Sequence, residues 1–403
     1  MHRSVQNRYA VLAFGTFTFT CVGIIYGWSK FSAAIRADLA LNHAQITLAY
    51  TISIAMFSLG IALDGLLSRL CSVKTSVTAA CLMTGGGFLV SSFLTAGGRF
   101  ALYAVYGLLV GLGMGIIYGG WLSNIMVWFP GGRGLTTGVL LTAIGFSGLT
   151  ITPVFASLAS AHGWRISFRL IGVLFFVIAA LSPLFLAPSA RRPAENAAPS
   201  APASGYSTAE VLRQREFWFF CIWKLLLVSV GQAFLGQLAP IIADIRGSDA
   251  LQLLCVSLAV FINGISRTLW GWFSDVWGYR RALLSIGMVG VVSTAGLWYF
   301  LRTESLPMTF FFLLLYFVTF GGAASIGPSF IRTYYGAKDF RTNNGISALT
   351  VVPGNMIVTA SIGFIRTSAG SYLPFFAYAL PATVLATLMC LAVFTPRFRS
   401  YRS

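Results

Sequence analysis

Three cations stand inside long apolar stretches of this sequence, and their neighbours limit what chemistry each can do. Arg267 follows Asn263 by four residues, so on a helix the two side chains share a face. An Arg–Asn pair of this kind offers several parallel donors to a carboxylate, and the guanidinium does not titrate in the physiological range. The structural alternative is an arginine tied to helix-end carbonyls. Lys30 follows Tyr26 at the same spacing, toward the far end of the first apolar run, and serves either an anion or the membrane interface. Lys224 lies near the start of its run and reads as a side chain that snorkels to the headgroups. A lone cation in hydrocarbon costs at least ~2.5–3.5 kcal/mol, so Arg267 and Lys30 point to a water-filled path or a bound anion.

The acidic residues sharpen that reading. None of the ten falls in the middle of an apolar run, so a path lined by these residues is net positive. It suits an anion and disfavours a cation. Tyr118 adds a phenol to the candidate carboxylate contacts, with ordinary packing as its alternative. His2, His43 and His162 stand near the ends of runs, and the six cysteines lack ligand spacing. These residues suggest no catalytic cluster, no metal and no cofactor, and the chain reads as no enzyme.

The elements that must position these residues follow from composition. The chain has 403 residues, 57% hydrophobic and 9% charged. Soluble proteins carry roughly 25% charged residues, so no aqueous surface of normal size can be built here. In lipid the backbone must satisfy its own hydrogen bonds, and long unbroken apolar runs select helices over a barrel. Twelve runs are readable, at about 9–33, 45–66, 76–96, 100–121, 135–158, 166–186, 217–241, 251–273, 282–301, 308–331, 345–365 and 373–393. The run that opens the chain, behind Arg3 and Arg8, resembles a signal peptide, but the repeat described below needs it as a first helix.

Residues 188–214 are rich in Pro, Ala and Ser and read as a cytoplasmic linker. It separates residues 1–187 from 215–403, giving an all-α membrane protein of twelve transmembrane helices in two pseudo-symmetric six-helix bundles. Lys and Arg concentrate on the side that carries both termini, while the other side holds only Arg36, Arg99, Arg165, Arg169, Arg246, Arg302 and Arg366. That asymmetry places both termini in the cytoplasm. The net charge of +17 is spread in short clusters between apolar runs, so it reflects topology and not nucleic-acid binding.

The halves also repeat each other. Gly271-Trp-Phe-Ser-Asp275-Val-Trp-Gly278-Tyr-Arg280-Arg281 follows the eighth run, and Gly65-Leu-Leu-Ser-Arg69-Leu-Cys-Ser72-Val-Lys74 follows the second in the same register. The later copy resembles the G-x-x-x-D-x-x-G-x-R-R loop of the major facilitator superfamily, with Asp275 at its acidic position. In the earlier copy Arg69 replaces the Asp and Ser72 the second Gly. Parallel repeats of this type place a substrate site near the midplane. Gly107, Gly111, Gly115 and Gly119 form a smooth face on the fourth run for close helix approach and sliding. Pro153 and Pro353 release carbonyls in the fifth and eleventh runs and permit bends.

Several short motifs narrow the resemblance. Ile25-Tyr26-Gly27-Trp28-Ser29-Lys30-Phe31, Ala44-Gln45-Ile46-Thr47-Leu48-Ala49-Tyr50, Gly163-Trp164-Arg165 and Asn263-Gly-Ile-Ser-Arg267 are together similar to the bacterial oxalate:formate antiporter family and to monocarboxylate transporters. The resemblance implies that Arg267 binds the substrate carboxylate and that Lys30 takes part in proton coupling. It also implies that Tyr118 contacts the carboxylate, as in related bacterial lactate carriers. Two departures stand out. Asn263 replaces the Asp that animal members place one turn before the Arg, and the eleventh run lacks the Lys of oxalate:formate exchangers.

The expectation is a secondary transporter of small organic anions in a bacterial inner membrane. It would carry short monocarboxylates such as lactate or pyruvate with a proton, by alternating access. Arg267, Asn263, Tyr118 and Tyr26 would bind substrate, and Lys30 would take up the proton. Gly111, Gly115, Pro153, Pro353 and Asp275 would serve the conformational change. The partners are the anion, the proton and the bilayer, with no nucleic acid and no obligate protein partner. The alternatives are a carboxylate:carboxylate exchanger of the oxalate:formate type and a transporter-like receptor that does not translocate its ligand.

Overall fold

The computed structural model describes residues 8–186 and 205–393, so most of the expected linker lies outside the described residues. The first apolar run is not one regular helix. It comprises α1 (Arg8–Val22), a 3-10 stretch (Gly23–Gly27) and α2 (Ser29–Asp38). Then come α3 (His43–Leu67) and α4 (Val73–Ser91). The fourth run joins α5 (Arg99–Leu102), a π-helical stretch (Tyr103–Val110) and α6 (Gly111–Trp128). The fifth is α7 (Arg133–Phe146) and α8 (Ile151–His162), and the sixth is α9 (Trp164–Phe185). After the short α10 (Thr208–Leu212) follow α11 (Arg215–Asp244), α12 (Asp249–Trp277), α13 (Tyr279–Arg302) and α14 (Leu306–Tyr335). The chain continues through α15 (Phe340–Leu349), α16 (Val351–Ala369) and α17 (Leu373–Val393).

Local chemistry sets where these helices begin. Asn42 and Gln45 form a reciprocal capping box at the start of α3, with bonds of 2.8 and 2.9 Å. Ser248 caps α12 through the Leu251 N–H at 3.3 Å. The breaks in the fifth and eleventh runs have one cause. Pro153 and Pro353 each sit third in their helix and have no N–H for the carbonyl four residues earlier, at Leu149 and Leu349.

Among the described residues, eleven helices are long and apolar enough to cross a membrane. The run read at 345–365 is divided at Thr350, and neither α15 nor α16 is among the eleven.

The chain forms two compact units. One takes residues through Pro130, then Ala143–Tyr206 and Tyr334–Leu349. The other takes Gly131–Thr142, Ser207–Thr333 and the chain from Thr350 on. In the first unit α3 packs along α6, α4 along α9, and α15 along α3. In the second, α17 packs against α11 and α13, and α11 also meets α16 and α12.

The glycine face of α6 explains the first of these contacts. Gly111 lies against the Ser53 carbonyl and Gly115 against the Phe57 carbonyl, so close that a Cβ at Gly115 would overlap that oxygen. Small residues let two backbones meet where larger ones would hold them apart.

Candidate functional site

In the second unit α12 carries Asn263 and Arg267 on one face. Arg267 Nε donates to Asn263 Oδ1 at 3.3 Å, and a terminal guanidinium nitrogen donates to the Leu141 carbonyl of α7 at 2.8 Å. Both of these acceptors are neutral oxygens, and they orient the guanidinium. The surroundings are polar for a membrane helix. Thr142 Oγ1 donates to the Gly264 carbonyl at 2.6 Å and lies 2.8 Å from the Thr268 hydroxyl. Ser325 of α14 donates to the Arg267 carbonyl at 3.5 Å. Asn263 is buried, and Arg267 is partly exposed.

The other candidate substrate contacts belong to the first unit. Tyr118 lies between the rings of Phe19 and Phe57, with centroids 5.3 and 5.6 Å away. Tyr26 is the fourth residue of the 3-10 stretch and is half-exposed, and Lys30 is exposed one turn later on α2. Tyr26 lines a cleft of about 420 Å³; neither Tyr118 nor Lys30 is among its lining residues.

The repeated loops occupy equivalent places. Gly278 and Ser72 each stand immediately before the next helix. Gly278 has φ 84°, a conformation that strains any side-chain-bearing residue. Ser72 keeps φ −69° and caps α4 with its hydroxyl at 3.2 Å from the Thr75 N–H. The loss of glycine in the earlier copy is thus matched by a different turn. The leading glycines share one job: Gly65 meets the Thr342 backbone and Gly271 meets the Gly134 backbone, each too closely for a Cβ.

Asp275 closes the second contact. Its two carboxylate oxygens accept the Gly134 and Leu135 N–H groups at 2.9 and 2.8 Å, capping the first turn of α7. A carboxylate is favoured there by the unpaired N–H groups and the positive end of the helix dipole. Arg69, at the equivalent position, instead pairs with Asp339 at 3.1 Å, just before α15. The acid has moved from the loop to the start of the docked helix.

Comparison with known proteins decides the family. The profile of the Major Facilitator Superfamily matches residues 12–358. The chain belongs to the major facilitator superfamily. This facilitator is a secondary transporter by that membership. It is 24% identical over 349 residues to the uncharacterized MFS-type transporter YhjX of Escherichia coli, covering 85% of this chain and 84% of the relative. To the oxalate:formate antiporter of Oxalobacter formigenes it is 24% identical over 348 residues, with 79% and 76% covered. To monocarboxylate transporter 13 of Bos taurus it is 23% identical over 367 residues, with 89% and 82% covered. Its fold matches the crystal structure of the facilitator FucP in the outward conformation with a TM-score of 0.72 at 13% identity, covering 95% and 98% of the two chains.

The structure gives several charged residues of this facilitator a burial or a partner that the sequence does not reveal. Lys224 was expected to snorkel; instead it is 8% exposed and lies against Gly327 of α14. Asp64, near the end of α3, is fully buried and receives both Nε and a terminal nitrogen of Arg341. Asp38 accepts the Trp164 indole N–H at 2.8 Å and pairs with Arg165, whose other nitrogen reaches the Leu94 carbonyl at 2.7 Å. The Gly163-Trp164-Arg165 motif therefore ties α9 to the end of α2 and to the turn that follows α4. Arg366 holds Asp244 at 2.6 Å in the second unit. The Asp64–Arg341 partners are 277 residues apart, and nothing local in either segment announces the other.

Proposed function

We propose that this facilitator carries small organic anions, as a proton-coupled symporter of short monocarboxylates such as lactate or pyruvate. The observation that carries the proposal is Arg267: a guanidinium in a membrane-spanning helix, held in place by two neutral oxygens. A planar, permanently charged fork oriented in this way is suited to a carboxylate. Because Asn263 Oδ1 is turned to Arg267, its amide NH2 is the end left to donate to an anion. Tyr118 and Tyr26 contribute phenols, and Lys30 takes up the proton. Similarity to monocarboxylate transporters supports the substrate class.

Alternating access would move the two six-helix halves, residues 1–187 and 215–403, about the linker in a bacterial inner membrane, with both termini cytoplasmic. Gly111 and Gly115 would keep α3 and α6 in close register during that motion. Pro153 and Pro353 would let the broken helices bend, and the Asp275 cap on α7 would form and release.

Uptake of radiolabelled L-lactate into proteoliposomes tests the reading, with and without an inward proton gradient and beside Arg267→Gln. Gradient-driven uptake that disappears in the variant supports it. Uptake that persists in the variant removes Arg267 from the mechanism. If neither protein moves lactate while both are folded, short monocarboxylate symport fails.

The burial of Lys224 in the same unit as Arg267 favours a second reading, exchange of one carboxylate for another. Two cations in one unit, Lys224 buried and Arg267 partly exposed, suit a dianion, and the similarity to an oxalate:formate antiporter agrees with it. Trans-acceleration by internal oxalate, independent of pH, would establish exchange.

A further inference from the structure

In the first unit, α2 and the beginning of α3 enclose a cleft of about 420 Å³. Ser32 and Arg36 enter it from one face of α2, four residues apart, and Ile46 and Tyr50 enter it at the same spacing from α3. Tyr26, Trp28 and Thr47 complete the polar and aromatic wall. Trp28 is buried and stacked on Tyr106 with centroids 4.2 Å apart, so this part of the wall is rigid. The cleft therefore combines one guanidinium, two hydroxyls and two phenols with broad apolar surfaces.

Its electrostatics select a sign. Arg36 and Lys30 both project from α2. The acid that follows them, Asp38, is engaged by Arg165 and by the Trp164 indole. Arg36 thus brings positive charge to the cleft wall, while the neighbouring negative charge of Asp38 is held by α9. The volume falls in the range of sites that enclose an organic ligand, about 300–1,000 Å³, and exceeds what a three-carbon acid would fill.

We propose that this cleft binds a carboxylate with a flat apolar body, such as an aromatic acid. Arg36 holds the carboxylate, and the Ser32 and Thr47 hydroxyls donate to it. The ring lies among Tyr26, Trp28 and Tyr50, where aromatic surfaces offer stacked or edge-on contact. The site uses residues of the first unit alone. The choice of carboxylate rests on the organic-anion reading above, which the cleft extends to larger acids.

Saturation binding of radiolabelled benzoate to the full-length protein in lipid nanodiscs tests this proposal. The measurement is made in the Arg267→Gln background, so that the other proposed carboxylate seat does not contribute. Adding Arg36→Gln should weaken benzoate binding about tenfold or more, because a charge-assisted contact is lost. Arg36→Lys should retain part of the affinity. Thr47→Trp, which fills the cleft without touching the arginine, should also abolish binding. Benzoate binding that is absent in the Arg267→Gln background, or unchanged by Arg36→Gln or by Thr47→Trp, overturns the proposal. L-Lactate uptake by the otherwise unaltered protein separates the two readings. Benzoate binding through Arg36 without lactate uptake defeats the symport reading alone, and lactate uptake with an inert cleft defeats this one alone.

Discussion

Asp64 on α3 accepts Arg341 Nε at 2.6 Å while the second carboxylate oxygen takes a terminal nitrogen of the same guanidinium. The carboxylate is 0% exposed and the guanidinium 9%. Arg341 also donates to Ser76 at 3.2 Å, so the pair fixes α15 against both α3 and the start of α4. Two buried charges repay their desolvation only when their remaining hydrogen bonds are met, and this geometry meets several of them.

Removing one partner leaves the other charge buried. Asp64→Asn should destabilise the first unit by about 3–5 kcal/mol. The double variant Asp64→Asn with Arg341→Gln should recover a large part of the loss. Thermal unfolding in one detergent reads both effects. Equal melting of the single and double variants would show that the pair is not coupled. Arg69→Gln, which removes the exposed bridge to Asp339, should cost no more than about 1 kcal/mol.

Asp275 acts through backbone N–H groups, so its contribution follows from acceptors more than from charge. Asp275→Ala should cost about 0.5–2 kcal/mol and speed hydrogen exchange at Gly134 and Leu135. Asp275→Asn keeps an acceptor and should preserve most of that protection. Equal exchange in both variants would mean that charge alone holds the contact.

The glycine face of α6 makes a steric prediction. Gly115→Ala should cost about 1–3 kcal/mol, because the new methyl meets the Phe57 carbonyl. Gly86→Ala on α4 meets no heavy atom within 4 Å and should leave the melting temperature unchanged within error. A tolerant Gly115 would show that α3 and α6 can separate at little cost.

Asn263 sits where a carboxylate would occupy Arg267 from within. Asn263→Asp should therefore weaken lactate uptake at neutral pH, since the new acid competes with the substrate for the guanidinium. As pH falls the new acid is protonated and releases Arg267, so uptake should rise relative to the parent protein. Uptake measured against pH checks this, and parallel profiles for parent and variant would refute it.

Much of the architecture is legible in the chain because lipid imposes a blunt constraint: each crossing needs a long apolar helix, and charge collects between crossings. The glycine ladder is legible for a related reason, since four small residues at intervals of four can only make one smooth face. The positions of helix breaks are partly legible through Pro153 and Pro353. The distance of Lys224 from the start of α11 suits snorkelling, whereas the direction of its side chain depends on α14 packing beside it.

Sequence alone established the family repeat, the helical membrane class and the pairing of Asn263 with Arg267, because each depends on neighbours along one chain segment. Only tertiary structure decided what those side chains meet. Arg267 turns to the Leu141 carbonyl, Arg341 finds Asp64, and the acid missing at Arg69 reappears as Asp339 just before the docked helix. Such contacts join residues far apart in the chain, and burial makes their partners energetically necessary without leaving a local pattern that would reveal them.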